Sequence, residues 1–290
     1  SFNSISLLLA VVALVAGMYF DGLRLQRLVK IGGYKLSIRA VLRVIFSNYF
    51  MAMLTPGASG GAVAQVLVLR SYGVPISKGT PIVLIRTVFS IMFLVIMLPL
   101  VFLRDAIEIP YISRDMLLIF AVLAVIAALV GTYILQTKYM RQFVYNLAQR
   151  FKAHNTKDWL SKLETLNQGL GLLYKQPVQS LIVFIESGLS LLCLYCIAPA
   201  LMYAFTPDIP IIDILDRMIL LNLILYFAPT PGGTGIAEGL FVVLFSAFVP
   251  NGTVGIIAVG WRVVAEYMPF FIGMYAVLTL YGRQFVAQET

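Results

Sequence analysis

The chain has 290 residues, of which 60% are hydrophobic and only 12% are charged, and its formal net charge is +8 at pH 7. Soluble domains carry roughly a quarter charged residues, so this composition excludes a soluble enzyme. The positive charge does not indicate a nucleic-acid partner, because the Lys and Arg residues lie in short segments between apolar runs, a pattern that orients membrane proteins.

Five apolar runs of about 16 to 28 residues carry almost no charge, and this is about the length that a helix needs to cross roughly 30 Å of hydrocarbon. Their apolar residues are continuous rather than alternating, which argues against a β-barrel. The sequence therefore predicts an all-α, polytopic integral membrane helical bundle that forms a single transmembrane domain over residues 1–290. The five runs are residues 5–20, 81–103, 116–135, 178–205 and 254–280.

Two pairs of shorter apolar segments are each interrupted by proline and glycine, as T-P-G-A-S-G-G at 55–61 and as P-T-P-G-G-T-G at 229–235. Non-helical backbone at membrane depth is tolerated only where protein buries it or where it lines a watery cavity. We therefore predict two Pro/Gly-broken re-entrant hairpins whose breaks lie inside the bundle. Short spanning helices joined by surface loops are the alternative. The predicted arms are residues 40–54, 62–69, 214–227 and 236–249.

The distribution of charge predicts the topology. Basic residues crowd the segments 21–43 and 137–177, so both are expected in the cytoplasm. The loop 104–115 is balanced and the loop 206–216 holds Asp but no Lys or Arg before the helix that follows, so both are expected outside. This threading predicts a multi-pass protein of the cell (cytoplasmic) membrane with a cytoplasmic C-terminus, whose hairpins enter from opposite faces.

The two breaks belong to an internal repeat. Aligning Pro56 with Pro231 brings Asn48 near Asn222 and Arg86 near Arg262. Residues 1–136 and 178–290 are therefore predicted to be inverted repeats, joined by the cytoplasmic basic segment 137–177. Inverted repeats with interrupted helices recur in transporters, and the substrate binds at the repeat interface.

Ionisable residues inside the apolar runs are expensive to bury and are therefore candidates for the functional site. Arg262 and Glu266 can pair at i, i+4 spacing, and a purely structural ion pair is the alternative. Arg86 has no acidic residue near it in its own helix, so snorkelling to the surface is its alternative. Glu186 is the candidate for ion coupling. The deep ionisable residues are Arg86, Glu186, Glu238, Arg262 and Glu266.

The breaks themselves favour an anion. Glycines permit close backbone approach, and the second arm of each hairpin begins with free N–H groups at the positive end of a helix dipole. Tight helix packing is the alternative for Gly57, Gly61, Gly235 and Gly239. The predicted substrate-binding residues form a track for a lipid phosphate: Asn48, Gly57, Ser59, Gly60, Arg86, Asn222, Gly232, Gly233, Thr234, Glu238, Arg262 and Glu266.

No catalytic residue, metal site or cofactor is expected. Cys193 and Cys196 form a C-x-x-C, but His154 is the only histidine and lies far away, so we interpret the cysteines as buried structural thiols. The chain lacks a P-loop, an H-E-x-x-H motif and a G-x-S-x-G elbow. We therefore do not expect an enzyme, and any transport would be passive or driven by an ion gradient.

The combination of Asn48, Pro56-Gly57, Arg86 and the run P-T-P-G-G-T-G-I-A-E at 229–238 resembles the flippase-like family. This family includes the transmembrane flippase region of lysylphosphatidylglycerol synthases, which aminoacylate phosphatidylglycerol and move the product outward. The resemblance covers nearly the whole chain. Family members usually begin with one more apolar helix, so we expect a segment upstream of Ser1.

The resemblance implies a lipid flippase that translocates a phospholipid, with aminoacylated phosphatidylglycerol as one candidate. A polyprenyl-phosphate carrier and an ion-coupled small-solute transporter are the alternatives. The expected partners are a membrane lipid substrate and a separate lipid-modifying synthase, because this chain contains no synthase domain. A homo-oligomer stays open, and no nucleic acid is expected.

Overall fold

The computed structural model describes residues 4–57, 59–104, 114–134, 171 and 176–286. Across this part of the chain the ordered elements are helices, and the only β-type contact is one isolated bridge. The predicted all-α fold is therefore confirmed. The segment 137–177, expected to be cytoplasmic, lies almost entirely outside the described residues.

The helices before residue 135 are α1 (Ser4–Ile31), α2 (Ile38–Leu54), α3 (Ser59–Ser71), α4 (Ile76–Leu103) and α5 (Arg114–Ile134). Those after residue 176 are α6 (Pro177–Tyr195), α7 (Ile197–Met202), α8 (Ile211–Leu225), α9 (Ile236–Phe245), α10 (Val254–Arg262) and α11 (Met268–Val286). A 3-10 turn, Ser246–Phe248, follows α9, and a π-helical turn, Val263–Tyr267, joins α10 to α11.

Four of the five predicted spans are long and apolar enough, within the described residues, to cross a membrane. They are Ile5–Ile31, Ile76–Leu103, Pro177–Met202 and Val254–Leu280. The fifth run forms α5, an apolar helix of 21 residues over Arg114–Ile134. Large apolar side chains such as Val15, Phe120 and Tyr275 are exposed on the outer surface, where acyl chains replace water as the solvent. The chain is therefore a multi-pass membrane protein.

The first helix corrects the sequence prediction, which ended the span at residue 20. Helix α1 continues to Ile31 and ends where Gly33 takes a φ of 89°. The amide of Tyr34 donates to the carbonyl of Val29 at 3.0 Å, which is the closing bond of a Schellman motif. Asp21 and Arg24 therefore lie within a buried helix rather than in a cytoplasmic loop, since they are only 3% and 6% exposed.

At each of the two predicted Pro/Gly breaks the structure has a pair of helices separated by the break: α2 with α3, and α8 with α9. An antiparallel β-bridge connects the backbone of Pro56 with that of Pro231. The glycines that follow these prolines adopt matching conformations, with φ of 59° at Gly57 and 57° at Gly232. Residues that carry a β-carbon rarely adopt a positive φ, so both turns require glycine. The two breaks therefore meet each other directly, and their turns are alike.

Two apolar clusters surround the two hairpins. One contains Leu25, Ile45 and Leu69 from α1, α2 and α3, and the other contains Ile219 and Phe241 from α8 and α9. Helix α1 packs along α6, and α11 packs along α2. The second half of the chain thus supports the first hairpin, and the two halves interlock rather than fold as separate bodies.

The contact between α11 and α2 generates the first prediction. A β-carbon added to Gly273 would collide with the backbone carbonyl of Phe46, which cannot rotate away. Gly273→Ala should therefore destabilise the protein by about 1–3 kcal/mol, the usual cost of overpacking. The measurement is the thermal unfolding midpoint of the purified protein in detergent.

Gly239→Ala is the matched control, because Gly239 is also helical and has nothing within 4 Å of its added β-carbon. It should leave the midpoint unchanged or raise it slightly, since alanine favours helix. Equal midpoints for the Gly273 and Gly239 variants would contradict the tight α11–α2 contact.

A polar cavity between the two breaks

A cavity of about 440 Å³ lies where the two breaks meet. Helices α1, α2, α3, α4, α6 and α8 contribute to its walls, together with both breaks and the π-helical turn. Its volume lies within the range of roughly 300–1,000 Å³ that small-molecule sites occupy. The predicted site residues that line it are Asn48, Gly57, Ser59, Arg86, Asn222, Gly232, Gly233 and Glu266.

One wall of the cavity carries a buried charge cluster. The carboxylate of Asp21 on α1 pairs with Arg24 on the same helix and with Arg86 on α4. Arg86 Nε donates to Asp21 Oδ1 at 3.1 Å, and Arg24 Nη1 donates to Ser90 Oγ at 2.8 Å. Arg86 is 7% exposed, so it is held in the bundle rather than snorkelling to a surface. Two guanidinium groups share one carboxylate, which leaves this wall with an excess positive charge.

Amide side chains extend this cluster along the hairpin α2–α3. Arg86 Nη1 donates to Gln65 Oε1 at 2.6 Å, and Gln65 Nε2 donates to Asn48 Oδ1 at 2.6 Å. A β-carbon at Gly61 would occupy the place of Asn48 Oδ1, so that glycine leaves room for the asparagine. The first hairpin is thus connected to Arg86 by an uninterrupted chain of hydrogen bonds.

A second charge cluster lies at the second break, residues 229–235, and is centred on Arg262. Arg262 is 1% exposed. Its Nε donates to Glu238 Oε1 at 2.7 Å, and its Nη2 donates to the carbonyl of Gly232 at 2.9 Å. The second oxygen of Glu238 accepts from the amide of Gly235 at 2.7 Å. The expected i, i+4 pair between Arg262 and Glu266 is also present. Arg262 therefore fastens the second break to α9, α10 and the π-helical turn.

The two arginines that the predicted repeat brings near each other, Arg86 and Arg262, thus have different surroundings. Arg86 lines the cavity, whereas Arg262 and Glu238 are absent from its described lining. Glu266 belongs to the second cluster and also reaches the cavity. It lies in a π-helical turn, a distortion that is frequent at functional sites. The cavity therefore has a cationic wall at Arg86 and an acidic wall at Glu266.

Most hydroxyl groups of the breaks close their own turns. Ser59 Oγ donates to the carbonyl of Pro56 at 3.0 Å, and Thr234 Oγ1 donates to the carbonyl of Pro231 at 2.8 Å. Thr55 Oγ1 accepts from the amide of Gly60 at 2.8 Å. Thr234 and Gly60, both predicted to bind substrate, are absent from the described lining. Ser59 lines the cavity, but its proton is already donated.

The remaining sequence candidates lie elsewhere. Glu186 is 6% exposed and pairs with Arg27 of α1, whose Nη2 lies 2.7 Å from Glu186 Oε1. Cys193 and Cys196 are free thiols and are half-buried rather than fully buried. Within the described residues, His, Cys, Asp and Glu form no group that could hold a metal ion.

Several residues that line the cavity were not among the candidates from the sequence: Asp21, Arg24, Tyr49, Gln65, Ser90, Tyr195 and Tyr226. A signal did exist for the first two. Asp21, Arg24 and Arg27 follow one another at three-residue spacing and precede Gly32-Gly33, which indicates a helix that continues to the glycines. The tyrosines carry no such signal, because aromatic residues in apolar helices are usual core residues.

A bundle of membrane-length helices around a polar cavity defines a multi-pass integral membrane protein. Residues 1–273 match the family described as Lysylphosphatidylglycerol synthase TM region, and the chain belongs to this family. A protein of Archaeoglobus fulgidus described as a UPF0104 membrane protein is 22% identical over 301 residues, which cover 99% of this chain and 90% of the relative. The family resemblance seen in the Pro/Gly breaks is thus confirmed.

The role of Arg262 generates the second prediction. Arg262→Ala should lower the free energy of unfolding by about 1–3 kcal/mol, because it leaves the half-buried carboxylates of Glu238 and Glu266 and the Gly232 carbonyl without their partner. Thermal unfolding in detergent measures the loss. Arg39→Ala, at an exposed arginine, should have an effect within experimental error. A fully stable Arg262 variant would contradict the structural role.

The cluster at the other wall generates the third prediction. Asp21→Asn should destabilise more than Arg86→Met, because it leaves two buried guanidinium groups without a carboxylate, whereas Arg86→Met leaves the Asp21–Arg24 pair intact. The double variant should recover part of the loss, since only Arg24 then lacks its carboxylate. The thermal unfolding midpoints of the three variants test this order. A lower midpoint for Arg86→Met than for Asp21→Asn would contradict the sharing of the Asp21 carboxylate by two guanidinium groups.

Proposed function

We propose that this protein is a lipid flippase, which translocates a phospholipid across the cytoplasmic membrane with the head group in the cavity between the two breaks. The observation that carries the proposal is the excess positive charge at Arg24 and Arg86 on the wall of a cavity enclosed by helices with apolar outer surfaces. A guanidinium inside hydrocarbon is expensive, and a lipid phosphate is the anion that a membrane supplies.

In this mechanism the phosphate contacts Arg24 and Arg86, while the acyl chains stay in the bilayer. Charge-assisted hydrogen bonds from guanidinium to phosphate are stronger than neutral ones, and they replace the water that the head group loses. Glu266 on the opposite wall would meet a cationic part of the head group, such as that of an aminoacylated phosphatidylglycerol. Glu238 is a weaker choice, because both of its oxygens are already engaged.

The matching turns support the inverted repeat. An antiparallel bridge between equivalent residues, Pro56 and Pro231, is the contact that a two-fold axis through the bridge would produce. Equivalent hydroxyls also make equivalent bonds, from Ser59 and from Thr234 to the proline three residues earlier. In this proposal the hairpins approach from opposite faces, so a head group at their junction has a route to both leaflets.

The fourth prediction tests the function in liposomes that contain the purified protein and fluorescent phosphatidylglycerol or lysylphosphatidylglycerol. Dithionite destroys the fluorescence of outer-leaflet lipid, so translocation removes the protected inner-leaflet signal. Arg86→Met should lower the rate by about tenfold or more, as expected for losing a hydrogen bond to a charged group. Arg70→Met, at an exposed arginine outside the cavity lining, should transport at the wild-type rate.

Two other outcomes would reject the proposal. Full protection of both lipids by folded protein, with and without a proton gradient, would exclude them as substrates and favour a polyprenyl phosphate or a soluble solute. Translocation that Arg86→Met and Arg70→Met affect equally would mean that lipid crosses without using the cavity.

A further inference from the structure

The two charge clusters of the bundle carry opposite excess charges. At the cationic wall, one carboxylate pairs with two guanidinium groups, those of Arg24 and Arg86. At the second break, one guanidinium group, that of Arg262, pairs with two carboxylates, those of Glu238 and Glu266. When every group is ionised, the first cluster therefore has one positive charge in excess and the second has one negative charge in excess.

Glu266 holds the excess negative charge of the second cluster. Both oxygens of Glu238 are engaged, one by Arg262 Nε and the other by the amide of Gly235, each at 2.7 Å. Glu266 pairs with Arg262 through Oε2, and its Oε1 has no hydrogen-bond partner among the described residues. That oxygen is not one of the side-chain atoms that are buried without a partner, so it keeps accessible surface.

Glu266 lies in the same cavity as the cationic wall. Among the described residues, the charged part of the lining consists of Arg24, Arg86, Asp21 and Glu266. The side chain of Glu266 is 22% exposed, and the carboxylate interacts electrostatically with Tyr49, another residue of the lining. The charges of the lining therefore sum to zero when all four groups are ionised.

The elements packed against the π-helical turn give Glu266 no cation of its own in the described part of the chain. These elements are α1, α10 and α11. Helix α10 supplies Arg262, which Glu238 shares, and α1 supplies Asp21 and Arg24 to the cavity. Residues 268–280 of α11 include no Lys, Arg, His, Asp or Glu. The charge of Glu266 is therefore balanced across the cavity, by the cationic wall.

An anion bound at Arg86 would remove this balance. An uncompensated charge inside an apolar bundle is unfavourable, and a nearby negative charge favours the neutral form of a carboxyl group. A proton taken from the aqueous phase restores the balance, and it returns there when the anion leaves. Arg262 keeps its bonds to Glu238 and to the Gly232 carbonyl in both states, so the second break stays fastened.

We propose that Glu266 is a proton-binding site that is linked to the anion site at Arg24 and Arg86, so that an anionic lipid and one proton bind together. The inference rests on the proposed function for the lipid form of the anion. The linkage is reciprocal, because a proton on Glu266 tightens anion binding by the same factor by which the anion tightens proton binding. A head group with its own ammonium replaces the proton, so the linkage concerns anionic lipids.

This proposal moves ion coupling away from Glu186, the candidate from the sequence. Both oxygens of Glu186 accept from Arg27 Nε, each at 3.1 Å. Glu186 is also outside the described lining of the cavity. Its charge is thus matched by its own guanidinium partner and does not respond to an anion at Arg86.

The test is calorimetric binding of dimethyl phosphate to the detergent-purified protein at about pH 5 and about pH 8. This phosphodiester keeps one negative charge throughout, so any change in affinity comes from the protein. A protonated Glu266 is neutral, so the wild-type affinity should be about fivefold or more higher at the lower pH, as for typical coupled sites. Titrations in two buffers of different ionisation enthalpy should show that the protein takes up protons as the anion binds.

Glu266→Gln imitates the protonated carboxyl group. At about pH 8 it should bind dimethyl phosphate about fivefold or more tighter than the wild type, with no pH dependence and no proton uptake. Asp208→Asn is the matched control, because it removes an exposed carboxylate outside the lining, and it should behave as the wild type does.

A purely structural Glu266 gives a different result. Folded Glu266→Gln that binds the anion no better than the wild type at about pH 8 would overturn the linkage. If this variant does not fold, the wild-type protein decides, since anion binding without proton uptake at either pH overturns the linkage as well. Undetectable binding at both pH values would remove the anion site and the linkage with it.

Lipid transport separates the failure of this inference from the failure of the proposed function. Translocation of short-chain fluorescent phosphatidylglycerol, followed by extraction of outer-leaflet lipid with albumin, should depend on pH in the wild type and not in Glu266→Gln. Proton-linked binding of dimethyl phosphate without lipid translocation would retain the linkage for a soluble anion and reject the flippase. Lipid translocation and anion binding that are both independent of pH would reject the linkage alone.

Discussion

Charges and free backbone groups inside an apolar helical bundle have to be partnered by the protein itself, because hydrocarbon offers them nothing. Arg262 meets this constraint at the second break, where one guanidinium binds the carbonyl of Gly232 and the carboxylates of Glu238 and Glu266. Glu238 in turn satisfies the amide of Gly235, which begins α9. The irregular backbone of this break thus depends on one arginine from another helix.

The two halves of the chain meet the same constraint in different ways. Their turns match, with glycines of similar φ after Pro56 and Pro231 and a bridge between the prolines. The surroundings of their arginines differ. Arg86 shares Asp21 with Arg24 and borders the cavity, whereas Arg262 is enclosed behind it. Two breaks with matching turns thus border a cavity whose lining includes both a guanidinium, at Arg86, and a carboxylate, at Glu266.

The charged side chains around the cavity determine which chemical groups it can bind. A head group that leaves water loses hydrogen bonds worth several kcal/mol in total, and a passage through the membrane has to replace them. The guanidinium groups of Arg24 and Arg86 and the carboxylate of Glu266, which all belong to residues of the cavity lining, offer such replacements. The bundle that carries these groups presents apolar side chains on its outer surface, so a polar cavity and an apolar exterior coexist in one bundle.

The sequence by itself determined the membrane class, the helical spans, the two breaks and the family, because each of these is written in local patterns. Continuous apolar runs mark the spans, proline and glycine mark the breaks, and i, i+4 spacing was enough to pair Arg262 with Glu266. The largest misplaced boundary is the end of α1, predicted at residue 20 and found at Ile31, because charged residues continue the helix where partners elsewhere in the bundle accept them.

Only the tertiary structure decided which residues share the cavity. Asp21 and Arg86 are 65 positions apart in the chain, and Arg27 and Glu186 are 159 apart. No local pattern indicates such a pair, since it arises from the way in which helices pack. The same is true of Tyr195 and Gln65, and of the difference between Arg86 and Arg262. These two arginines fall within one position of each other when the two breaks are aligned, and their surroundings differ because different neighbouring elements supply the carboxylates.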